Sequence, residues 1–288
     1  MDFDLVIIGS GPAGYSAAIR AAQLGFKTAI VEKEKLGGIC LNWGCLPTKY
    51  LLNSAQLFYT LKKASFYGIK DENININFSS IIERSRSVAE KMSKGINYLM
   101  QKNKITVFFG KAELKEGKKI RIINNEGKEM EYKASFIIIA TGASSKTIHN
   151  LPQDGKKIIG YKEALTLSSL PKSMVIVGSG AIGVEFASFY NSMGVQVSLI
   201  ESMTRIVPSE DIEISLELEK SLKNNGIKVF TSSYIEDVKT YKTGVQLVIK
   251  SSKYKIEAEI VLSAVGIRPN IENLGLESVG ITLEKDIF

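Results

Sequence analysis

The sequence is poor in several things that whole classes of protein require. It holds only two cysteines, Cys40 and Cys45, in 288 residues. That is too few for a secreted disulfide scaffold, and it suits a reducing compartment in which thiols carry chemistry. No apolar run approaches the ~20 residues that cross a bilayer, and the short run Leu5 to Ile8 passes at once into glycine-rich sequence, unlike a signal peptide. Cytoplasmic residence without membrane association is therefore the expectation. There is a single histidine, His149, so a four-ligand zinc site is not expected and no metal is assigned. His149 itself reads as a surface linker residue. Proline is sparse, 6 against 24 glycines, with 44% hydrophobic and 23% charged residues, which excludes collagen-like and disordered chains. The net charge of +7 is scattered, and no basic run exceeds a pair such as Lys62-Lys63. A nucleic-acid partner, which needs a basic patch or stripe, is not expected. At roughly 100–200 residues per domain the length allows about two domains.

What is present is an internal repeat. DLVIIGSGPAGYSAAIRAAQLGFKTAIVE, beginning at Asp4, and SMVIVGSGAIGVEFASFYNSMGVQVSLIE, beginning at Ser173, match at a constant offset of 169 residues. Gly9, Gly11, Gly14, Gly25 and Glu32 fall on Gly178, Gly180, Gly183, Gly194 and Glu201, so a unit has been duplicated. Each copy reads as an apolar strand (Leu5–Ile8; Val175–Val177), a Gly-x-Gly-x-x-Gly turn, a helix of small residues, and a second strand ending in Glu. In this motif the first glycine makes the tight turn, the second lets a pyrophosphate approach the backbone, and the third lets the helix pack closely. The pyrophosphate then rests on a helix N-terminus. Glu32 and Glu201 are placed to accept hydrogen bonds from an adenosine ribose. Glu201 favours NAD over NADP, whose 2′-phosphate would meet like charge, although Arg205 lies nearby. One dinucleotide per copy is expected.

Between the copies, Phe78 to Asn103 reads as an amphipathic helix with Ile81, Ile82, Val88, Met92, Ile96, Leu99 and Met100 on its apolar stripe. Residues 105–139 change to short alternating runs with turns at Glu116-Gly117 and Asn125-Glu126-Gly127, which predicts an antiparallel meander returning to a buried strand, Phe136–Ala140. Residues 212–225 predict a helix and 227–265 further strands, and 271–288 begin an element the chain does not finish. The fold class expected is α/β, with two Rossmann-like three-layer domains, the first carrying an antiparallel β-meander insertion. The domains are placed at 1–148 and 149–268, with 269–288 returning to the first.

Cys40 and Cys45 stand five positions apart in Cys-Leu-Asn-Trp-Gly-Cys-Leu-Pro-Thr-Lys, at a predicted helix start. They can close a disulfide only if the first turn is distorted, which Gly44 makes easier. Buried packing cysteines, half a metal site or a structural disulfide are the alternatives. Redox exchange is preferred, because these two cysteines stand beside a nucleotide motif and helix N-termini favour the thiolate form.

Taken with Ala140-Thr141-Gly142-Ala143, GSGAIGVEFAS and AVGIRPN, these residues resemble the pyridine nucleotide-disulfide oxidoreductases over essentially the whole chain. Cys40-Leu-Asn-Trp-Gly-Cys45 followed by Pro47-Thr48-Lys49 is the form of the members that oxidise dihydrolipoamide, whereas glutathione and mercuric reductases more often carry CVNVGC. The resemblance implies FAD on the first repeat and NAD on the second. It assigns Cys40 to the dihydrolipoamide and Cys45 to the flavin side, in a catalytic disulfide, with Lys49 and Glu185 as an ion pair near the flavin. Cofactor contacts would come from Gly9, Gly11, Pro12, Ala13, Gly14, Glu32, Lys33, Gly38, Lys49, Ala112, Ala140, Thr141 and Gly142 for FAD. Those for NAD would come from Gly178, Gly180, Ala181, Ile182, Gly183, Glu185, Glu201, Ile235 and Gly266.

The implied partner is the lipoyl domain of a 2-oxoacid dehydrogenase complex, and a homodimer is implied for the whole enzyme. Family members continue through a second FAD fingerprint and an interface domain bearing a His–Glu pair, neither of which precedes Phe288. Little or no dihydrolipoamide turnover by these residues alone is thus expected. Two alternatives stay open: another flavin disulfide reductase of glutathione, mercuric or peroxide type, or a dinucleotide-binding fragment without catalysis.

Overall fold

The computed structural model describes residues 1–70, 74–250 and 254–284. The chain divides into two compact units, one of Met1–Leu46, Arg86–Ser144 and Arg268–Phe288, the other of Pro47–Ser85 and Ser145–Ile267. The division near residue 144 lies close to the one read from sequence, but residues 47–85 group with the second unit. The expectation for 271–288 extends to residues 285–288, which lie outside those described.

The first unit opens with β1 (Phe3–Ile8), α1 (Pro12–Gln23) and β2 (Thr28–Glu32), followed by the short helix α2 (Gly38–Trp43). Helix α3 (Cys45–Lys62) starts in it, and α4 (Phe78–Lys102) enters it at Arg86. Then come β3 (Thr106–Lys115), β4 (Lys119–Asn124), β5 (Glu129–Ile139) and the short β6 (Ala143–Ser145). Strands β1, β2, the first half of β3 and the second half of β5 form a parallel sheet in the order β3-β2-β1-β5. The other halves of β3 and β5 pair antiparallel with β4, so the strand pairing closes on itself.

This double use follows from the sequence of β1, which is apolar on both faces. Leu5 and Ile7 pack with Ala18, Ala21, Ile96 and Met100 on the helical side, and Val6 and Ile8 with Leu114, Ile120 and Ile122 on the meander side. Burying one such branched side chain contributes ~1.5–3 kcal/mol. The expected buried strand Phe136–Ala140 is corrected: Phe136 is 61% and Ile138 39% exposed. Their part of β5 is the edge of the parallel sheet, so only the alternate residues Ile137 and Ile139 reach the meander-side core.

The second unit repeats the plan. Its elements are β7 (Ile158–Ile159), α5 (Tyr161–Ala164), β8 (Ser173–Val177), α6 (Ala181–Ser192), β9 (Gln196–Ile200), α7 (Ile212–Asn224) and β10 (Lys228–Phe230). Then follow β11 (Ile235–Thr240), β12 (Val245–Ile249), β13 (Lys255–Ala258) and β14 (Ile260–Ser263), with β15 (Ile267–Pro269) at the boundary. The parallel sheet runs β10-β9-β8-β14-β7. Strand for strand, β10-β9-β8-β14 repeats β3-β2-β1-β5, and an antiparallel meander, β11-β12-β13, again covers one face. Val175 and Val177 of β8 pack against Leu247 and Ile249 of that meander. On α6, Tyr190 is fully buried and donates its hydroxyl to the Ala164 carbonyl at 2.5 Å. Burial raises the pKa of that phenol far above its ordinary value, so it stays protonated.

Candidate dinucleotide sites and redox pair

The two glycine turns are geometrically the same object. Gly9 and Gly178 have φ of +101° and +99°, and a Cβ on either would lie 2.2 or 2.3 Å from a carbonyl oxygen, Ala140 or Ala264. In each turn that first glycine donates its N–H to the second strand at 2.8 Å, Gly9 to Val31 and Gly178 to Ile200. Gly14 and Gly183 sit so close to the turn that a Cβ would fall 1.9 Å from the carbonyl oxygen of Gly9 or Gly178. The middle glycines differ. A Cβ on Gly180 would meet nothing within 4 Å, and one on Gly11 only the Gly38 Cα at 3.9 Å. Gly11 and Gly180 are the N-caps of α1 and α6 and supply no side-chain cap, so neither helix start draws an acceptor from its own cap residue. Pro12, which has no N–H to satisfy, opens α1, with Ala13 next, and Ala181 and Ile182 occupy the same places in α6. This arrangement fits a pyrophosphate in both turns.

The acids at the strand ends do more than the sequence suggested. The Glu32 Oε2 accepts from the Ser10 N–H at 3.0 Å and the Ser10 hydroxyl at 2.5 Å, and Oε1 from the Glu34 N–H at 2.8 Å. Glu201 repeats this with Ser179, its Oε2 accepting from the N–H at 2.8 Å and from the hydroxyl at 2.7 Å. The Glu201 Oε1 takes the Met203 N–H at 2.8 Å and the Ser202 hydroxyl at 3.1 Å. Each acid thus locks its own glycine turn before any ribose arrives. Ser10 and Ser179 were missed as functional residues, yet they stand at the same offset in both GSG motifs.

Burial raises the Glu201 pKa, but the Ser179, Met203 and Ser202 hydrogen bonds outweigh it and hold the carboxyl below its ordinary value. A depressed folded pKa gives stability that is present above the unfolded value, about 4.3, and is lost as pH falls through the folded one. Glu201→Gln is therefore expected to lower stability near pH ~7 and to flatten its decline below about pH 4. Urea unfolding at both pH values checks this, and an unchanged acid slope would contradict it. Arg205 donates from Nη2 to the Pro208 and Glu210 carbonyls at 2.8 and 3.3 Å, while its buried Nε has no hydrogen-bond partner among the described residues.

Cys40 and Cys45 stand on either side of a helix break. Helix α2 ends at Gly44, whose φ of −137° and ψ of −117° are not helical, and α3 begins at Cys45. A Cβ on Gly44 would approach the Ile39 oxygen at 3.1 Å and the Cys40 Cα at 3.3 Å, so the chain folds back tightly over Cys40. Both sulfurs are thiols here, Cys40 half-buried and Cys45 exposed. The break is held by α4. The Arg86 Nη1 donates to the Asn42 carbonyl at 2.6 Å, and its guanidinium lies 4.1 Å from the Trp43 ring centroid. The Asn42 amide donates to the Leu36 and Gly38 carbonyls, both at 3.0 Å. Arg86 is a further residue that sequence reading missed, because nothing in the order of residues joins it to a motif 44 positions earlier.

Other predicted residues fall as follows. Lys49 and Glu185 form an ion pair within the second unit, with Lys49 mostly exposed. Its worth to stability is small, about 0–1 kcal/mol. Gly38 (φ +66°) packs on Gly11, where a Cβ would lie 2.5 Å from the Gly11 Cα. Lys33 is exposed just past Glu32. Ala140 donates its N–H to the Ile8 carbonyl at 2.8 Å. Thr141 and Gly142 are held by Asn270, whose side-chain amide and N–H donate to their carbonyls, each at 2.9 Å. Ala112 and Ile235 turn their side chains into the cores of their units, leaving only backbone atoms to meet a ligand. Gly266 (φ +110°) accepts the Lys146 N–H at 2.9 Å. His149 is exposed in a turn. Among the described residues no group of three or more metal-ligating side chains is found, and no helix is long and apolar enough to cross a membrane.

Two duplicated dinucleotide-binding folds, one followed by a thiol pair across a helix break, are the arrangement the chain presents. Residues 3–287 match the family described as pyridine nucleotide-disulphide oxidoreductase, and the chain belongs to it. It is 42% identical over 286 residues to a protein named dihydrolipoyl dehydrogenase from Zymomonas mobilis, covering 98% of this chain and 61% of that one. A protein of the same name from Bacillus subtilis is 40% identical over 299 residues, covering 100% and 63%. Among solved structures, LpdA from Mycobacterium tuberculosis superposes with a TM-score of 0.91 at 29% identity, covering 98% and 62%. The HOCl-induced flavoprotein disulfide reductase RclA from Escherichia coli does so at 0.84 and 26%, covering 98% and 61%. The chain spans about three fifths of the length of these relatives. The expected fold class, two Rossmann-like domains with a meander in the first, agrees with these matches.

Proposed function

We propose that this chain provides the FAD site, the NAD site and the redox dithiol of a dihydrolipoamide dehydrogenase. The observation that carries the reading is the pairing of two identical Ser–Glu-locked glycine turns with Cys40 and Cys45 across the Gly44 break. FAD would take the first turn, with Gly11, Pro12 and Ala13 at the pyrophosphate, Glu32 and Lys33 towards the ribose, and the Thr141-Gly142 loop nearby. NAD would take the second, with Gly180, Ala181 and Ile182 at the pyrophosphate and Glu201 at the ribose. The Arg205 Nη2 is engaged by the carbonyls of its own loop, and Glu201 would meet a 2′-phosphate with like charge, which favours NAD.

In the oxidised protein Cys40 and Cys45 would be joined. One thiolate of dihydrolipoamide attacks the Cys40 sulfur, breaking the Cys40–Cys45 bond and forming a mixed disulfide, and Cys45 leaves as thiolate. The second substrate thiolate then attacks the substrate sulfur of that mixed disulfide. Cyclic lipoamide departs, and the protein keeps the electron pair as a dithiol. FAD held by the first turn would supply the acceptor for that pair, and NAD on the second turn would take it up as hydride. Gly44 would let the chain turn tightly enough over Cys40 for the bond to close, and Lys49 with Glu185 fixes a charge pair on one face of α6. The partner would be a lipoyl domain, and a homodimer is the assembly proposed for the whole enzyme.

The test is the flavin released by heat from the purified protein, together with calorimetric titration of NAD and NADP. FAD in near one-to-one amount and NAD binding at least about tenfold tighter than NADP, a difference of ~1.4 kcal/mol, are expected. FMN, or a preference for NADP, would overturn the assignment.

A further inference from the structure

Arg86 is a charged side chain that α4 lays on the segment between the two cysteines. The carbonyls at the end of α2 lose their intrahelical partners at the Gly44 break, and a cation is the favoured donor there. Arg86 meets the Asn42 carbonyl at 2.6 Å and places the same guanidinium over the ring of Trp43, 4.1 Å from its centroid. A planar guanidinium can do both at once, while an ammonium cannot. Two turns further along α4, the Ser93 hydroxyl holds the Leu36 carbonyl at 2.8 Å, just before α2 begins. The link between the thiols is thereby gripped from α4, at the place where the backbone doubles back over Cys40.

We propose that Arg86 is a positioning residue for the redox pair: by clamping Asn42 and Trp43 it holds Cys40 and Cys45 at the separation from which their disulfide closes. Closure demands a narrow geometry, with Cα atoms about 4.4–6.8 Å apart. A segment released from its clamp samples that geometry less often, so the disulfide weakens relative to the dithiol. Arg86 acts through the chain that joins the two sulfurs. The proposal rests on the reading that these cysteines cycle between dithiol and disulfide.

The experiment equilibrates the purified protein, with its cofactors, in buffers of oxidised and reduced dithiothreitol. Each disulfide formed in the protein consumes one oxidised dithiothreitol and yields one reduced, two electrons and two protons passing between them. Alkylation and intact mass then count the thiols. For Arg86→Ala the equilibrium constant for the protein disulfide is expected to fall about tenfold, equivalent to ~30 mV for a two-electron couple. Arg86→Lys, which keeps a cation for Asn42 but not the stack, should fall by about threefold, and it decides the matter where the alanine variant does not fold. Arg121→Ala removes an arginine paired with Glu113 and Glu129 on the meander of the same unit and should leave the constant unchanged.

Trp43 is the sole tryptophan, so its emission should also shift in Arg86→Ala. Constants for both Arg86 variants within a factor of ~2 of the parent would overturn the clamp, whatever happened to melting temperature. A parent protein that forms no Cys40–Cys45 disulfide in any buffer would instead overturn the dithiol reading itself.

Discussion

Gly14→Ala is expected to destabilise the first unit by about 3 kcal/mol or more and to abolish flavin retention, while Gly11→Ala, three residues away, leaves folding nearly untouched. A methyl on Gly14 would lie 1.9 Å from the Gly9 carbonyl oxygen, and both contact atoms belong to backbone that the β1 turn holds in place. Neither can rotate away, so the helix must shift off the turn, and overpacking of this kind costs ~1–3 kcal/mol even among movable side chains. For a unit of this size that is a fall of roughly 6–12 °C in Tm. A methyl on Gly11 meets only the Gly38 Cα at 3.9 Å, at a φ of −66° that alanine adopts freely. Its cost should appear in FAD affinity, because the methyl occupies the space over the α1 N-terminus. Gly183→Ala and Gly180→Ala should split in the same way for NAD. Gly25→Ala, at φ +89° with open space around it, gives the scale of pure backbone strain, about 1–2 kcal/mol. Thermal melts beside cofactor titrations decide the matter, and equal losses of stability in Gly11→Ala and Gly14→Ala would contradict it.

Cys45→Ser and Cys40→Ser should each remove dihydrolipoamide oxidation almost completely, by roughly 10³-fold or more, because each half of a disulfide exchange is useless alone. The two variants should nonetheless fold, since one thiol is exposed and the other half-buried, and neither is bonded to the other here. Turnover measured in the whole enzyme, beside a melting curve, separates lost chemistry from lost structure. Residual turnover above about a tenth of the parent in either variant would show that electrons reach the flavin by another route.

Much of this was legible in the order of residues because the fold is written twice. The offset repeat located both glycine turns and both acids, and the strands around them are apolar on both faces, which leaves little freedom in their placement. Phe136 and Ile138 show where such reading fails. Their apolar run looks buried, yet burial depends on how many strands flank β5, and that is a property of the sheet and not of the run. The second meander, β11-β12-β13, was visible only as unassigned strands, because the lone Gly244 between β11 and β12 does not by itself fix which strands pair. Ser10 and Ser179 were hidden in plain repetition: small polar residues are common in turns, and only the hydrogen bonds to Glu32 and Glu201 give them a task. Arg86 and Asn270 act on loops 44 and 129 residues away, distances over which sequence spacing holds no information about contact.

Two dinucleotide sites and a redox dithiol in one chain should communicate, and the visible spectrum of the purified protein, supplied with FAD, before and after anaerobic NADH reads that out. A bound flavin band that NADH bleaches is expected, with a long-wavelength feature that disappears in Cys45→Ser. A protein that takes up no flavin, or a flavin band that NADH leaves unchanged, would contradict it.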